Sequence, residues 1–404
     1  MEIIVQKYGG TSLADPEQIK AVATNIAHSA RHNCGVVAVV SAMGSATDRL
    51  IELARQVNPD PPTRELDMLM TAGERVSMAL LSMALDVLGV SAISFTGSQV
   101  GIITDTKHTK ARILEIRGDR VRHELACGRV VIVAGFQGVS MDKEVTTLGR
   151  GGSDTTAVAM AAALEASRCE IYTDVDGVFA ADPRVVPTAK RMDHISYDEM
   201  LELASLGARV VHHRAIEMAR KYNVELMVGT GFNKGRGTVI GRAENMEEVA
   251  VRGVTSDREI ALLTILSVPK VPGSISELVT ELAEQGVAVR FFFHGLGRER
   301  TADLSFIVAL EDYQKARDIL KQRCVDLGAE SVVGRNDVAM VSIVGSGVGA
   351  SAEFMSRVFQ VLSEMGLHIE AVSTSELKVS CVIAERSADE AVRRLATCFE
   401  LTES

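Results

Sequence analysis

The feature that most constrains this chain is a series of short apolar runs, each ending in small polar residues. The runs are Ile3-Ile4-Val5, Val36 to Val40, Val130 to Ala134, Cys169 to Tyr172 and Val224 to Val228. Each is rich in β-branched residues and apolar at consecutive positions, the pattern of a parallel strand covered on both faces. Longer helical stretches lie between them, such as Glu65 to Leu88 and the Ala-rich Asp154 to Ala166. Strands alternating with helices predict an α/β fold with a mostly parallel sheet sandwiched by helices. In such a sheet ligands bind beyond the carboxyl ends of the strands. Those ends read Lys7-Tyr8-Gly9-Gly10-Thr11-Ser12, Ser41-Ala42-Met43-Gly44, Gly135-Phe136-Gln137-Gly138 and Thr173-Asp174-Val175-Asp176-Gly177. Four strands delivering Gly, Ser, Thr, Lys and Asp to one edge predict a site there.

From Asn233 to Glu248 the glycines and charges predict a linker. Beyond it a pattern repeats. Leu263 to Leu266, the Pro269–Gly273 turn, a helix ending before Gly286 and Val287 to Val289 recur about 80 positions later as Val341 to Val344, Gly345 to Gly349, a helix ending before Gly366 and Leu367 to Ile369. Two copies of strand, turn, helix and strand predict two ferredoxin-like βαββαβ units, suited to ligand sensing or oligomerisation.

Three stretches carry chemistry. At Lys7 to Ser12 two glycines let backbone approach a ligand and Lys adds charge; no GxxxxGK[ST] occurs in the chain. In Thr147-Leu-Gly-Arg150-Gly151-Gly152-Ser153-Asp154, an Arg stands in a Gly-rich loop before a helix, placed to fork onto a carboxylate or phosphate. Asp174, Asp176 and Asp182 with Arg184 suit Mg²⁺ with nucleotide phosphates, since Mg²⁺ takes few carboxylates and keeps waters. Other features read as structural. Glu74 suits a solvated helix face, and His212-His213 a partly exposed pair. Gly345-Ser-Gly-Val-Gly349 reads as a turn.

Composition narrows the classes. The formal net charge is −10 and aromatics are 4% of residues, which excludes a nonspecific nucleic-acid binder. The six Cys include no CxxC pair, as in a reduced cytoplasmic protein. No apolar run approaches the length of a membrane span and no signal peptide is evident.

Lys7-Tyr-Gly-Gly-Thr-Ser, Ser41-Ala-Met-Gly, Gly73-Glu74-Arg75, Ser94-Phe-Thr-Gly, Gly135-Phe-Gln-Gly, Thr147-Leu-Gly-Arg-Gly-Gly-Ser-Asp and Tyr172-Thr-Asp-Val-Asp-Gly-Val together resemble the aspartokinases of the amino acid kinase superfamily. The likeness covers essentially the whole chain and is greatest to the single-function bacterial type with tandem C-terminal ACT domains. It implies a kinase domain over 1–245, a linker and first ACT domain over 246–335, and a second over 336–404 that borrows a strand from about 250–262. It implies transfer of the ATP γ-phosphoryl group to the side-chain carboxylate of L-aspartate, with ATP and Mg²⁺. This is the first step toward lysine, threonine and methionine. By motif, Lys7 and Asp154 are the catalytic residues. Ser41, Thr47, Glu74, Arg150, Gly151, Gly152 and Ser153 bind aspartate. Lys7, Tyr8, Gly9, Gly10, Thr173, Asp174, Phe179, Asp182, Arg184, Arg209 and Val210 meet the nucleotide. No residue is assigned as a dedicated metal ligand. Implied partners are L-aspartate and further copies through ACT domains, as a homodimer or an α2β2-like assembly, with no nucleic acid and no membrane.

The chain departs from the family at several points. Gly207-Ala-Arg209-Val-Val-His-His-Arg214 stands where relatives commonly have Gly-Ala-Lys-Val-Leu-His-Pro-Arg, so Arg209 replaces a Lys. Val228-Gly229-Thr230-Gly231 lacks an Arg found in Val-Arg-Ser-Ser. In the first ACT repeat, acids and amides that would hold an amino-acid effector are missing, and Arg290 stands where an acid would meet its ammonium. The expectation is weak or absent feedback inhibition by lysine plus threonine. Phe291-Phe292-Phe293 suits burial at a contact between ACT domains, and Met246 lies where some relatives begin a separate regulatory subunit. Two other readings remain open: a kinase for another acidic amino acid, and a catalytically idle ACT-based sensor.

Overall fold

The structure is a computed structural model that describes residues 2–31, 34–208, 210–230, 237–243, 250–295 and 300–403. Two compact units form: Met1–Phe179 with Arg191–Glu247, and Ala180–Lys190 with Glu248–Ser404.

The first unit runs β1 (Glu2–Tyr8), α1 (Pro16–Ala30), β2 (Cys34–Val40), α2 (Ala46–Val57), α3 (Thr63–Met70), α4 (Ala72–Val87), β3 (Ala92–Phe95), β4 (Ile102–Thr104), β5 (Ile113–Ile116), α5 (Asp119–Ala126), β6 (Val130–Ala134), β7 (Gln137–Ser140), β8 (Val145–Thr147), α6 (Gly152–Leu164), β9 (Arg168–Thr173), β10 (His194–Ser196), α7 (Tyr197–Ser205), α8 (His213–Tyr222), β11 (Leu226–Thr230) and β12 (Thr238–Gly241). Its main sheet has the order β10-β12-β11-β9-β1-β2-β6-β3, and a smaller one the order β5-β4-β7-β8. The large sheet is parallel except where β12 runs against β11.

Burial follows from composition. In β2 every residue from Gly35 to Val40 is buried, because helices cover both faces. On one side Tyr8, Leu13, Ile26, Leu81 and Leu85 form the core with α1 and α4. On the other, Ala-rich α6 packs against β1, β9 and α8. Its small side chains let it lie flat, and all but two of its residues are buried. Asp15 caps α1 by accepting the Gln18 amide at 2.9 Å, with Pro16 at the first helical position. The helix therefore starts well after Gly9-Gly10, and only a single 3₁₀ turn, Thr11–Leu13, follows those glycines.

Two local expectations change. The helix expected over Glu65 to Leu88 is two helices, α3 and α4, meeting at Thr71. The helical stretch Thr63–Val87 is long and apolar enough by composition to cross a membrane. Only part of it is buried, and that buried side holds the ionisable Asp67 and Glu74 with backbone donors, while Val76, Met83 and Val87 are exposed. The expected linker Asn233 to Glu248 contains β12, a member of the main sheet; 231–236 and 244–249, with Met246, lie outside the described residues.

The second unit runs β13 (Gly253–Asp257), β14 (Ile260–Pro269), α9 (Ser274–Glu284), β15 (Val289–His294), β16 (Thr301–Ala309), α10 (Tyr313–Leu327), β17 (Ser331–Arg335), β18 (Val338–Val344), α11 (Ala352–Glu364), β19 (Ala371–Ser375), β20 (Lys378–Ala384) and α12 (Ala388–Cys398). Its two sheets have the orders β15-β16-β14-β17 and β13-β18-β20-β19. Each is a ferredoxin-like βαββαβ sheet; the second takes its edge strand, β13, from upstream of the first. The run Phe291–Phe293 alternates on edge strand β15. Phe291 and Phe293 are partly buried, and Phe292 is exposed, its ring 5.2 Å from that of Phe306.

Segment Ala180–Lys190 belongs to this unit through main-chain pairing. Ala180 O accepts from Val254 N at 2.7 Å, Lys190 N donates to Leu401 O at 2.9 Å, and Thr188 O accepts from Glu403 N at 2.7 Å.

Candidate active site

The site lies at the carboxyl ends of β1, β2, β6 and β9. Lys7 pairs in register with Val39 of β2 and Ile171 of β9, and its side chain points away from Tyr8, toward α6. There its ammonium lies 2.7 Å from Asp154 Oδ1 as an ion pair; Oδ1 has no hydrogen bond of good angle. Both side chains are 12% exposed, enough to meet a ligand and too little for water to dissolve the pair. Asp154 is in the first turn of α6, where the helix dipole favours an acid. Its Oδ2 accepts the His212 amide at 3.4 Å.

Glu74 corrects the reading of a solvated glutamate. It is 3% exposed, in the first turn of α4, because the Ser41–Gly44 loop closes over it. Its Oε1 accepts the Ala42 amide at 3.3 Å, while the buried Oε2 has no hydrogen-bond partner among the described residues. Burial raises its pKa to about 7. The loop is held by Ser41 N donating to Tyr8 O at 3.1 Å and Gly44 N to Gly10 O at 2.9 Å. Gly73 lies directly beneath it: a methyl there would be 2.7 Å from Ala42 Cβ and 3.8 Å from Thr47 Oγ1. Ser41, Thr47 and Glu74 thus come together beside Lys7's strand end.

The Gly-rich loop is braced from α8. Arg214 donates to Leu148 O at 2.6 Å and to Ala111 O at 3.0 Å. Gly151 adopts φ +69°, and a Cβ there would lie 2.1 Å from the His212 ring. His212 is therefore more than half of an exposed pair: it caps α8, abuts Gly151 and has its pKa lowered by burial and by His213, so it stays neutral. Phe136 is strained, with φ 68°, and its carbonyl accepts the Leu148 amide at 2.9 Å. Sequence reasoning missed Arg214 and Phe136. Arg214's position at the start of a helix was the available signal, and Phe136 had none. Arg150 is exposed and makes no hydrogen bond or ion pair among the described residues.

The nucleotide assignments divide. Thr173 ends β9 and Asp174 follows it, with Thr173 Oγ1 donating to Asp174 Oδ1 at 3.0 Å. Asp176 accepts from Thr230 Oγ1 at 2.8 Å. Tyr8 is corrected: its side chain is 0% exposed and stacks on Tyr172 with centroids 5.0 Å apart, so it packs the core. Gly9 and Gly10 follow β1, and Phe179 bridges to Arg191. Asp182 and Arg184 belong to the second unit. There Arg184 donates to both oxygens of Asp182 and holds that carboxyl below its usual range. Val210 is half-buried before α8, and Arg209 lies outside the described residues.

The donor set suits nucleotide phosphates with Mg²⁺. Asp174 and Asp176 are exposed carboxylates at a strand end. Among the described residues no group of three or more His, Cys, Asp or Glu is arranged to hold an ion alone. An ion arriving with phosphates and waters needs only one or two such carboxylates.

Residues 2–230 match the amino acid kinase family and residues 341–399 an ACT domain. An aspartokinase of Pseudomonas aeruginosa is 48% identical, the match covering 99% of this chain and 98% of that protein. One of Mycolicibacterium smegmatis is 44% identical over 99% of this chain and 97% of its own. Among solved structures, aspartate kinase from Synechocystis is 42% identical, covering 100% of this chain and 70% of that one with a TM-score of 0.56. Aspartokinase III of E. coli, in complex with aspartate and ADP, shares the fold at 24% identity, covering 99% and 100% of the two chains with a TM-score of 0.82. With its kinase-type sheet, its charged strand ends and relatives matched along nearly their full length, this chain belongs to the aspartokinase family.

Proposed function

We propose that this chain transfers the γ-phosphoryl group of ATP to the side-chain carboxylate of L-aspartate, giving 4-phospho-L-aspartate. The observation that carries the choice of substrate is Glu74. A buried carboxylate oxygen without a hydrogen-bond partner is costly unless a cation meets it. The α-ammonium of an amino acid supplies that cation. Arg150, without a protein partner among the described residues, is suited to fork onto the substrate's α-carboxylate, and Ser41, Thr47 and Ser153 are assigned to the same substrate.

The reacting carboxylate is ionised at neutral pH, so it needs no general base. The difficulty is bringing one anion to a polyanion. Positioning and charge neutralisation therefore carry the chemistry. Lys7 supplies positive charge at the transferring group, and Asp154 holds Lys7 in place and takes no proton. Mg²⁺, when bound, would neutralise further phosphate charge, held by the Asp174 and Asp176 carboxylates.

The reading extends to regulation and assembly. Arg290 ion-pairs with Asp257 of β13, which supports a first ACT unit that offers no acid to an effector ammonium there. Feedback inhibition by lysine plus threonine is accordingly weak or absent. The chain works in the cytoplasm and self-associates through its ACT domains.

The test is hydroxylamine trapping of the acyl phosphate with MgATP and L-aspartate, L-glutamate or N-acetylglutamate, with and without lysine plus threonine. Hydroxamate from aspartate alone supports the assignment. Equal product from N-acetylglutamate, which lacks an ammonium, overturns the role of Glu74. Failure with every acid leaves a non-catalytic sensor.

A further inference from the structure

We propose that Asp67, which no motif assigns to the site, is a positioning residue for Arg150 and so sets the affinity for the amino-acid substrate. The inference rests on the reading of Arg150 as the carboxylate-binding residue.

Asp67 is in α3 and is 0% exposed. A carboxylate buried that deeply persists only when donors surround it. Three residues supply them, all from segments distant in sequence. Thr147 Oγ1 donates to Oδ1 at 2.5 Å, the Thr109 amide reaches both oxygens at 3.1 and 3.2 Å, and His108 Nδ1 lies 2.7 Å from Oδ2. Hydrogen bonds to a charged acceptor are among the stronger ones available.

These partners lead to Arg150. Thr147 ends β8, three residues before it. Thr109 adopts φ 64°, an uncommon conformation for a non-glycine, and its carbonyl lies over Gly149: a Cβ on Gly149 would be 3.0 Å from Thr109 O. Gly149 itself has φ +79°, and Ala111 N donates to Thr147 O at 2.9 Å. Asp67 thus pins both walls of the turn that presents Arg150, in addition to the bonds that Arg214 makes to Leu148 and Ala111. Arg150, lacking a partner of its own among the described residues, takes its place from that turn alone. A displacement of about 1 Å in such a group costs on the order of 100-fold in the step it serves.

The decisive variants are at Thr147, where Thr→Val is close to isosteric and removes only the donor. Thr147→Val is expected to raise the KM for L-aspartate about 10- to 100-fold. The KM for MgATP stays close to wild type, the melting temperature falls because the buried Asp67 carboxylate loses a donor, and Thr147→Ser restores both stability and affinity. Asp67→Ala gives the same split, more strongly, if it folds. In an Arg150→Ala background, Thr147→Val adds nothing further, since the residue through which Asp67 acts is gone. Calorimetric titration with L-aspartate, without nucleotide, reads the same affinities directly. An unchanged KM for aspartate, equal rises for both substrates, or penalties that multiply in the Arg150→Ala background would each overturn the proposal. Wild-type protein that neither binds nor turns over aspartate overturns the functional reading, and the role of Asp67 with it.

Discussion

Replacing Glu74 with Gln is expected to make the protein more stable and less active, with a pH dependence that identifies the cause. Glu74 is 3% exposed and has one weak backbone donor, so burial raises its pKa from 4.5 to about 7. Ionising it in the folded protein therefore costs about 3 kcal/mol more than in the unfolded chain. Because the folded protein holds the proton more tightly, stability from this group is fully present below about pH 4.5 and is lost as pH rises to about 7. Gln keeps the shape and the Ala42 hydrogen bond but never ionises. Glu74→Gln should gain about 1 kcal/mol at pH 5 and about 3 kcal/mol at pH 8. At about 2–4 °C per kcal/mol for a unit of this size, the melting temperature at pH 8 rises by about 6–12 °C. The substrate ammonium needs the ionised form, so the wild-type KM for aspartate should rise about tenfold from pH 8 to pH 6. Thermal melts of both proteins at pH 5 and pH 8, with KM profiles, provide the test. A variant no more stable at pH 8, or equally stabilised at both pH values, would refute the argument from burial.

Lys7→Ala is expected to lower kcat by about 10³, measured by hydroxamate formation, and to lower the melting temperature as well, because Asp154 is left mostly buried without its cation. Gly151→Ala should abolish aspartate binding, because its methyl would enter the His212 ring; Gly151→Ala with His212→Ala should recover part of it, read by titration calorimetry. Lysine and threonine together, at millimolar concentration, should leave the rate unchanged, and strong inhibition in a coupled ADP-release assay would refute the reading of Arg290.

Much of the catalytic unit is legible in the sequence because parallel strands covered on both faces must be apolar at consecutive positions. β2 and β6 announce themselves, and the residues that follow them reach the ligand edge. β12 is hidden because Gly237 precedes it and Gly241 ends it, so that the segment imitates a linker. The break between α3 and α4 is hidden because Thr71 keeps helical angles of φ −64° and ψ −13°. Periodicity cannot register a joint made from helical residues. Within the site, Lys7, Arg150 and Asp154 stand out because each lies in or beside a glycine-rich turn, where a charged group has little packing to do. Glu74 and Asp67 do not, since each is buried by a loop distant in sequence: Ser41–Gly44 covers one, and His108–Thr109 with Thr147 enclose the other. Local sequence carries no record of what covers a helix.

The pairing of Ala180–Lys190 with the C-terminal unit bears on how such a chain can be divided. A cut after residue 247 follows the order of domains along the sequence, yet it strips this segment of the main-chain partners that Val254, Leu401 and Glu403 provide. The freed kinase fragment would carry a ribbon of unsatisfied carbonyls and amides, a template for sticking to other chains. Grafting a C-terminal half from a relative is a gentler operation. Main-chain bonds ignore side-chain identity, so a donor of quite different sequence serves provided its backbone arrives at the same three places.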